Sequence, residues 1–445
     1  MVNDLRDLMQ RAVDAPPEDG NDLGAVLRAG RGRVHRRRRA VAAGVAASVA
    51  VAGGAGVWAA SGGEDGDRVA NRTVPAPNGP VLHLAQAEAA VEGKDYDVLA
   101  SHTNKDLDAD NGQYYDGVTD DGRILFRDGP RAGLAVARFA LVDPATGAED
   151  RLPLHDVGSS TRAVELSADR VVLVSPADDG AGLRAHVFDR RTRTWSAPTW
   201  PALPAGGDPF TAAVGPDGRL YVAVGARDAG DGVAVDGPAD GPEVDDAGAV
   251  GDTRRLWSVG LDDPADVRDE GQRVGSFEFT DDTLVFSAAT NGVNDEIHVR
   301  DLATGADRVL DPRSGARCNL LDLGATDDLI VLSQYCGTYD DGRDDRIQVI
   351  DTDGDPVTTL QGDNLGGGVA GGLVQVTSYD GSAAGTYVWE PDGGRLVRVT
   401  DGVSSWSLGG PTPAGYLLWD TPYGSAAGPR EPVAGATQWL ARWRS

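Results

Sequence analysis

The sequence predicts a seven-bladed β-propeller, an all-β fold in which small twisted sheets are arranged around an axis. Seven short turns, most of them containing Asp or Gly, are each followed at once by an aliphatic run, as in TDDGRILF and GPDGRLYV. The turns are centred on Asp121, Asp169, Asp217, Asp282, Asp328, Gly371 and Ala414. They recur every 43 to 48 residues, apart from one interval of 65, and this period is the length of one four-stranded unit. In a single unit of this size, both faces of the sheet are exposed to solvent. The units must therefore pack face to face around an axis, which buries these faces.

A second recurrent signal lies about 20 residues after most of these turns. It is a hairpin rich in Asp, Thr and Gly between two apolar segments, as a hairpin loop of about two to four residues requires. The examples are DPATG at Asp143, DRRTRTW at Asp189, DLATG at Asp301, DTDGD at Asp351 and EPDGG at Glu390. Two classes of turn at fixed offsets predict a four-stranded meander in each unit.

The third unit departs from this spacing, since its hairpin falls at 260–264. The acidic, Gly-rich segment 227–252 accounts for the long interval, and we interpret it as a loop insertion without regular structure.

Composition supports an all-β chain. The 60 Gly and 25 Pro among 445 residues would disfavour helices but suit a chain with frequent turns. No segment after residue 100 has a helical pattern. The basic residues are 39 Arg and only 2 Lys, a bias typical of a GC-rich genome such as those of actinobacteria.

An uncharged segment near the N-terminus predicts a membrane anchor. Residues 40–60 carry no charge over 21 positions, enough for a helix to cross a hydrocarbon layer of about 30 Å. An arginine cluster at 31–39 precedes this segment and acidic residues follow it, so we expect the N-terminus in the cytoplasm and the rest of the chain outside.

The apolar run consists of Ala, Val and Gly, so a cleaved signal peptide is the alternative to an anchor. The 39 residues before the run are far longer than the charged region of a signal peptide, which favours an uncleaved single-pass protein of the cell membrane. Residues 61–80 then form a flexible linker, and the propeller spans 81–445.

The first 39 residues form the predicted cytoplasmic tail. Leu5, Leu8, Met9 and Val13 share one face of a short amphipathic helix that Asn3 can cap, and residues 22–29 are predicted to form a second short helix. Such a tail before an Ala/Val span resembles the cytoplasmic heads of actinobacterial single-pass envelope proteins, including membrane-bound anti-sigma factors. That resemblance implies a partner-binding head. A zinc-containing head is excluded, because the tail has one His, His35, and no Cys.

The charge is divided sharply along the chain. The first 60 residues hold nine Arg and six acids, which gives them a positive net charge. Because the whole chain has a net charge of −28, the remaining 385 residues carry a net charge of −31. An outer domain this acidic excludes nucleic acid and anionic polymers as unaided partners. The partners that remain are cations, basic or neutral proteins, and uncharged glycans or small molecules. Solubility and turn chemistry alone also explain many of these carboxylates.

The only two cysteines, Cys318 and Cys336, flank one of the seven turns. If CNLLDLGA and LIVLSQYC are antiparallel neighbours, Cys318 lies opposite residue 335 or 336, close enough for a disulfide outside the cytoplasm. Such a short closed loop would add about 3 kcal/mol of stability.

The best candidate for metal binding is an acidic loop before the first blade. Its alternating carboxylates are Asp106, Asp108 and Asp110, with Asp116 further on, and they could face one calcium ion. The loop departs from the helix-loop-helix calcium pattern, because Gly is one place late and Gly117 stands where Glu is expected. An Asx-rich loop without metal is the alternative. No other cofactor is indicated.

Catalytic motifs are missing from the sequence. The histidines outside the tail are scattered, and no G-x-S-x-G elbow or phosphate-binding glycine loop occurs. His186 and His298 occupy equivalent places in two blades, and we predict structural hydrogen bonds between blades for both. The sequence therefore favours a function other than catalysis and leaves an enzyme as the alternative.

The turn GPDGRLYV resembles the repeat signature of TolB-like propellers, whose hairpins WD repeats share. Pro216, Asp217 and Gly218 match the motif, and the resemblance covers about 113–445. It implies a toroid whose axial faces recognise proteins or small molecules. We expect Val81–Gln86 to complete the last sheet and so close the ring.

These observations lead to three functional hypotheses. The first is a membrane-anchored binding or scaffold module, the second a glycan hydrolase or lyase with its site at one axial face, and the third a transmembrane regulator. Inward-facing His, Arg, Tyr and carboxylate groups at the axis would favour the enzyme.

Overall fold

The structure is a computed structural model, in which a set of segments from residue 77 onwards can be described. These segments are 77–105, 113–129, 136–157, 161–177, 182–205, 207–225, 254–287, 296–312, 314, 318–338, 342–379, 381–403, 410–423 and 435–444. The tail 1–39, the span 40–60, most of the linker and the insertion 227–252 lie outside them. Within the described segments, no helix is long and apolar enough to cross a membrane.

The described residues form seven β-sheets, which follow one another along the chain as blades 1 to 7. Blades 1 to 4 are antiparallel four-stranded meanders. Blade 1 contains β4 (Tyr114–Val118), β5 (Ile124–Asp128), β6 (Arg138–Val142) and β7 (Glu149–Arg151). Blade 2 contains β8 (Arg162–Leu166), β9 (Arg170–Pro176), β10 (Leu183–Asp189) and β11 (Thr194–Ser196). Blade 3 contains β12 (Gly207–Val214), β13 (Leu220–Gly225), β14 (Arg254–Val259) and β15 (Val267–Val274). Blade 4 contains β16 (Phe277–Phe279), β17 (Thr283–Ser287), β18 (Ile297–Asp301) and β19 (Asp307–Leu310).

Blades 5 to 7 include strands from the beginning of the described chain. Blade 5 contains β20 (Cys318–Ala325), β21 (Leu329–Thr338), β22 (Gly342–Asp351) and β23 (Pro356–Gly362), with β1 (Val81–His83) at its outer edge. Blade 6 contains β24 (Leu365–Ala370), β25 (Leu373–Ser378), β26 (Gly385–Glu390) and β27 (Arg395–Thr400), with β2 (Glu88–Ala89) at its outer edge. Blade 7 contains β28 (Tyr416–Tyr423), β29 (Gly435–Trp443) and β3 (Tyr96–Asn104). Two short 3-10 helices cover Leu84–Gln86 and Gly381–Ala383.

The hydrophobic core is divided into seven clusters, each of which lies between two neighbouring blades. Six clusters join consecutive blades from 1/2 to 6/7. The seventh joins blade 7 to blade 1, through Leu418 and Leu440 on one side and Tyr115, Val118 and Ile124 on the other. The ring of sheets is therefore closed, and the predicted seven-bladed β-propeller is confirmed.

The aliphatic runs of the sequence follow from this arrangement, as β9 illustrates. Val171 and Leu173 pack against blade 1, whereas Val172 and Val174 pack against blade 3. A strand that is buried on both faces must be apolar at consecutive positions, not at alternate ones. The runs after the first six turns are therefore the second strands of blades 1 to 6, and the run after the seventh turn is β28, the first described strand of blade 7.

The turns that the sequence predicts lie at one end of the blades. The first two strands of blade 1 are joined through Thr119, whose backbone N–H donates to the Arg123 carbonyl at 2.8 Å. Gly122 adopts φ +80° in this turn, a conformation that favours glycine. The hairpins between the third and fourth strands lie at the same end, which we call the turn face.

Aspartate side chains stabilise those hairpins. The Asp143 carboxylate accepts hydrogen bonds from the backbone N–H groups of Ala145 and Thr146 at 2.9 and 3.1 Å, and these bonds lower the pKa of Asp143. Asp189 and Asp301 have lowered pKa values because they accept similar bonds. Turn chemistry thus explains part of the acidic composition.

The strand that closes the ring is not the predicted one. β3 pairs with β29 from Asn104 opposite Ala436 to Tyr96 opposite Trp443, so it forms the outer strand of blade 7. The expectation that Val81–Gln86 completes the last sheet was wrong, because β1 pairs in parallel with β23 of blade 5. β3 has nine residues and can pair with the long strand β29, whereas β1 has only three residues.

The first described residues form a strap along the outer edges of blades 5 and 6. β1 covers β23, and β2 covers β27 in parallel register. An uncovered edge strand can pair with other chains. The outer strands of blades 1 and 2 have no strap and are only three residues long, whereas the covered strands β23 and β27 have seven and six residues. The strap therefore occupies the edges of β23 and β27, whereas the eight-residue outer strand β15 of blade 3 pairs with no strap strand within the described segments.

Candidate functional site at the propeller axis

Charged side chains from the inner strands of three blades lie within electrostatic range of one another near the axis. Arg162 begins β8 in blade 2, Glu278 is the central residue of β16 in blade 4, and Asp322 lies in β20 of blade 5. The Arg162 guanidinium interacts electrostatically with both carboxyl groups. Because blade 3 separates blade 2 from blade 4, this interaction crosses the space that the inner strands enclose. We call these three residues the axial cluster.

Strand register gives the relative heights of the three residues. Arg162 lies opposite Val174, and Asp322 lies opposite Ser333. Val174 and Ser333 are each the fifth residue of the second strand of their blade, so Arg162 and Asp322 are at one level. Glu278 lies opposite Val285, the third residue of β17. It is two residues nearer the turn face, which corresponds to about 7 Å along a strand.

Burial changes the acidity of both carboxyl groups. It raises the pKa of Glu278 to about 7, a shift that Arg162 opposes and Asp322 increases. Burial also raises the pKa of Asp322 to about 6, opposed by the hydrogen bond from the Leu323 backbone N–H at 2.9 Å and by Arg162. The three side chains are only partly exposed. Near neutral pH, Glu278 can therefore either donate or accept a proton.

A buried ion pair supports the strand on which Arg162 lies. The Arg127 guanidinium in blade 1 binds Asp116 and also donates a hydrogen bond to the Thr161 carbonyl at 2.6 Å. Tyr114 and Phe139 flank the same guanidinium, with ring centroids 4.8 and 5.4 Å away. Because Thr161 directly precedes Arg162, these contacts fix the backbone at the start of β8.

β-Bulges distort the inner strands close to the axial cluster. The register of β8 shifts between Ala163 and Glu165, and that of β20 shifts between Leu320 and Asp322. A bulge inserts one extra residue and changes the direction of the side chains around it. The bulges lie next to Arg162 and Asp322, whereas β16, which carries Glu278, pairs with β17 in regular register.

The sequence analysis missed the axial cluster. Its members are charged residues within apolar inner strands, as in TRAVEL, SFEFT and NLLDLG. A charged residue in a segment that is buried on both sides is unusual, and this signal could have identified Glu278 and Asp322. The abundance of acids elsewhere in the chain obscured it.

The predicted calcium loop lies mostly outside the described residues. Asp106, Asp108 and Asp110 are not described, and the carboxylate of Asp116 binds Arg127 with Oδ2 2.7 Å from Nε. Within the described segments, no group of three or more metal-ligating side chains occurs. Calcium binding by this loop stays a prediction.

The predicted disulfide is confirmed. Cys318 and Cys336 are bonded and lie directly opposite each other in the register of β20 and β21. The bridge closes a hairpin of the inner two strands of blade 5, the blade that carries Asp322.

The two equivalent histidines have different partners. His186 is buried, and its Nδ1 lies 3.0 Å from Nε2 of His155, which is on the connection from blade 1 to blade 2. The prediction of a structural contact between blades is therefore confirmed for His186. It was wrong for His298, whose Nδ1 lies 3.1 Å from Asp307 in the same blade.

Comparisons with known proteins give similarity in fold. No family model matches the sequence, and no curated protein matches it. The chain is similar to the β-propeller domain of the Trilobed protease from Pyrococcus furiosus, with 10% identity over 65% of this chain and 81% of that one, at a TM-score of 0.42. It is also similar to an oligogalacturonate lyase in complex with manganese, with 14% identity, 81% and 99% coverage and a TM-score of 0.47. A third similar structure is the acylaminoacyl peptidase of Pyrococcus horikoshii, with 12% identity and a TM-score of 0.46, where the match covers 75% of this chain and 52% of the peptidase.

Proposed function

We propose that this chain is a binding module of the cell envelope and that its ligand enters the propeller axis and contacts the axial cluster. The observation that carries the proposal is the convergence of Arg162, Glu278 and Asp322 from three separate blades. Packing between blades does not require charged groups at the axis, and their partial burial costs free energy. A ligand that forms hydrogen bonds with them would offset this cost.

The chemistry of the axial cluster favours an uncharged ligand rich in hydroxyl groups, such as a neutral glycan. The Arg162 guanidinium supplies hydrogen-bond donors, and the two carboxyl groups supply acceptors and, when protonated, a donor. Hydroxyl groups can pair with both kinds of partner. The net charge of −31 beyond residue 60 would repel a polyanion. A neutral or basic protein segment is the second class of ligand.

Binding of neutral glycans to the full-length chain tests this proposal. We expect at least one member of a neutral-glycan panel to bind, and we expect Arg162→Gln and Asp322→Asn each to weaken binding about tenfold. Arg138→Gln is the matched control, because Arg138 is exposed and forms no ion pair within the described segments. Equal affinity in all four proteins would place the ligand elsewhere and reject the axial cluster as its site.

A glycan hydrolase or lyase is the alternative function, and one observation favours it. The pKa values of Glu278 and Asp322, raised to about 7 and 6, suit general acid and base groups at neutral pH. Analysis of a bound glycan after long incubation separates the two functions. Intact glycan supports a binding module, whereas shortened products that disappear in Glu278→Gln support an enzyme.

The cellular location is part of the proposal. The uncharged segment 40–60 and the arginines before it support a single membrane span with the propeller outside the cytoplasm. Protease treatment of intact cells and of permeabilised cells tests this topology. We expect the propeller to be accessible in intact cells and the tail 1–39 only after permeabilisation.

A further inference from the structure

A recess on the turn face lies between blades 1 and 2, away from the axial cluster. Its volume is about 230 Å³. Four lining residues come from the end of β10 and the hairpin that follows it, namely Phe188, Arg190, Arg191 and Arg193. The corresponding hairpins of blades 1, 4, 5 and 6 contain no arginine between their two strands. The arginine-rich hairpin therefore distinguishes this recess from the equivalent places in those blades.

Two of the three arginines are fixed by ion pairs to blade 1. The Arg190 guanidinium donates to both carboxylate oxygens of Asp121 at 2.8 Å, and it also donates to the Ser167 carbonyl. Arg193 donates to Asp150 at 3.0 Å and to the Arg151 carbonyl at 2.9 Å. These contacts hold the hairpin against blade 1 and give the recess walls of fixed shape.

The two charged lining residues that form no ion pair within the described segments have opposite signs. Arg191 and Asp169 both line the recess, and both are exposed. Within the described residues neither side chain forms an ion pair, and the carbonyl of Asp169, not its carboxylate, accepts a hydrogen bond from the Arg190 backbone N–H. One cation and one anion are thus available to a ligand.

Buried apolar residues form the floor of the recess. Leu141 of blade 1 and Phe188 of blade 2 line it, and each side chain is only 1% exposed. Sites for drug-sized molecules usually have volumes of about 300–1,000 Å³. The recess is smaller, so it suits a ligand smaller than a drug-sized molecule.

We propose that this recess binds a small zwitterion of the α-amino-acid class. The ligand carboxylate would pair with Arg191 and its ammonium group would pair with Asp169, above the floor that Leu141 and Phe188 form. A simple anion would pair with Arg191 and leave Asp169 without a partner from the ligand, and a simple cation would pair with Asp169 and leave Arg191 without one. A zwitterion satisfies both groups at once, since guanidinium binds carboxylate and carboxylate binds ammonium.

Titration of the full-length chain with leucine, followed calorimetrically, tests this inference. Leucine combines both charges with an apolar side chain, N-acetyl-leucine amide has the side chain but neither charge, and acetate has only the negative charge. We expect saturable binding of leucine at one site and at least about tenfold weaker binding of the other two compounds.

Variants identify the recess as the site. Arg191→Gln and Asp169→Asn should each weaken leucine binding about tenfold, because each removes one charge-assisted contact. Arg138→Gln and Asp262→Asn are matched controls, since they remove exposed charges in other parts of the propeller. The inference is overturned if leucine does not bind, if acetate binds as tightly as leucine, or if the two recess variants bind leucine like the wild type. Circular dichroism of each variant checks that the fold is retained.

Discussion

Asp116 and Arg127 form an ion pair between the first two strands of blade 1, in which one carboxylate oxygen lies 2.7 Å from both Nε and Nη2 of the guanidinium. The exposed fractions of the two residues are 4% and 1%. Burial raises the pKa of Asp116 to about 6, and Arg127 opposes this shift, so the carboxylate is ionised at neutral pH. The pair links the inner strand of blade 1 to the backbone that precedes Arg162.

Asp116→Asn should therefore destabilise the fold strongly. The substitution leaves the Arg127 charge buried beside a neutral amide, and breaking a buried ion pair in this way typically costs about 3–5 kcal/mol. Urea unfolding of the wild type and the variant measures the change. Asp269→Asn, which breaks an exposed ion pair with Arg255, is the control and should change stability little. Equal effects of the two substitutions would contradict a supporting role for the buried pair.

Reduction of the disulfide should destabilise blade 5. The bond between Cys318 and Cys336 spans 18 residues, and closing a loop of this length stabilises the native state by about 3 kcal/mol in the chain-entropy model. Denaturant unfolding measures the free energy of unfolding of the double variant Cys318→Ser/Cys336→Ser and of the oxidised wild type. Addition of a reductant should lower the stability of the wild type and leave that of the double variant unchanged.

Gly117 allows two inner strands to approach each other closely. Its φ is +134°, and a Cβ atom placed there would lie 2.6 Å from Cδ1 of Leu166 and 2.8 Å from the Pro411 carbonyl oxygen. Gly117→Ala should therefore cost about 1–3 kcal/mol through overpacking, in addition to backbone strain. Gly147→Ala is the control, because Gly147 also has a positive φ but a Cβ atom there would meet no atom within 4 Å. Thermal unfolding should show the larger loss for Gly117→Ala.

His155 should make stability sensitive to acid. Burial lowers the pKa of His155 below the usual 6.5, so the unfolded chain binds more protons than the native state as the pH falls below 6.5. The stabilising contribution of neutral His155 is present above pH 6.5 and is lost as the pH drops through the lowered native pKa. His155→Gln should therefore lose less stability than the wild type between pH 7 and 5 in urea unfolding. His83→Gln, at an exposed position, is the control and should follow the wild type.

The fold could be predicted mainly from the repeat length and the turn residues. Asp121, Asp217 and Asp328 lie in turns between the first and second strands, and Asp143 and Asp301 cap hairpins, because these local structures depend on nearby residues. The aliphatic runs after the turns indicated strands with both faces buried. Cys318 and Cys336 could be paired because both belong to one hairpin.

Contacts that are distant in the sequence could not be predicted in the same way. β1 and β3 are both strands with apolar residues that precede the first blade, and the choice of β3 as the closing strand depends on the edge that β29 presents. The axial cluster combines residues of β8, β16 and β20, which are distant in the sequence, and hydrophobic periodicity does not reveal which inner strands lie opposite one another. The partners of His186 and His298 differ because only His186 faces the connection between blades that carries His155.

The side-chain pKa of Glu278 provides the most direct test of the axial cluster, since it depends on residues of two other blades. Carbon-13 NMR of the full-length chain, with labelled glutamate and with Glu278→Gln to assign the signal, can measure it. We predict a pKa of about 7 in the wild type, a lower pKa in Asp322→Asn, and a higher pKa in Arg162→Gln. A pKa close to 4.5 that does not change in either variant would contradict the convergence of these three side chains at the axis.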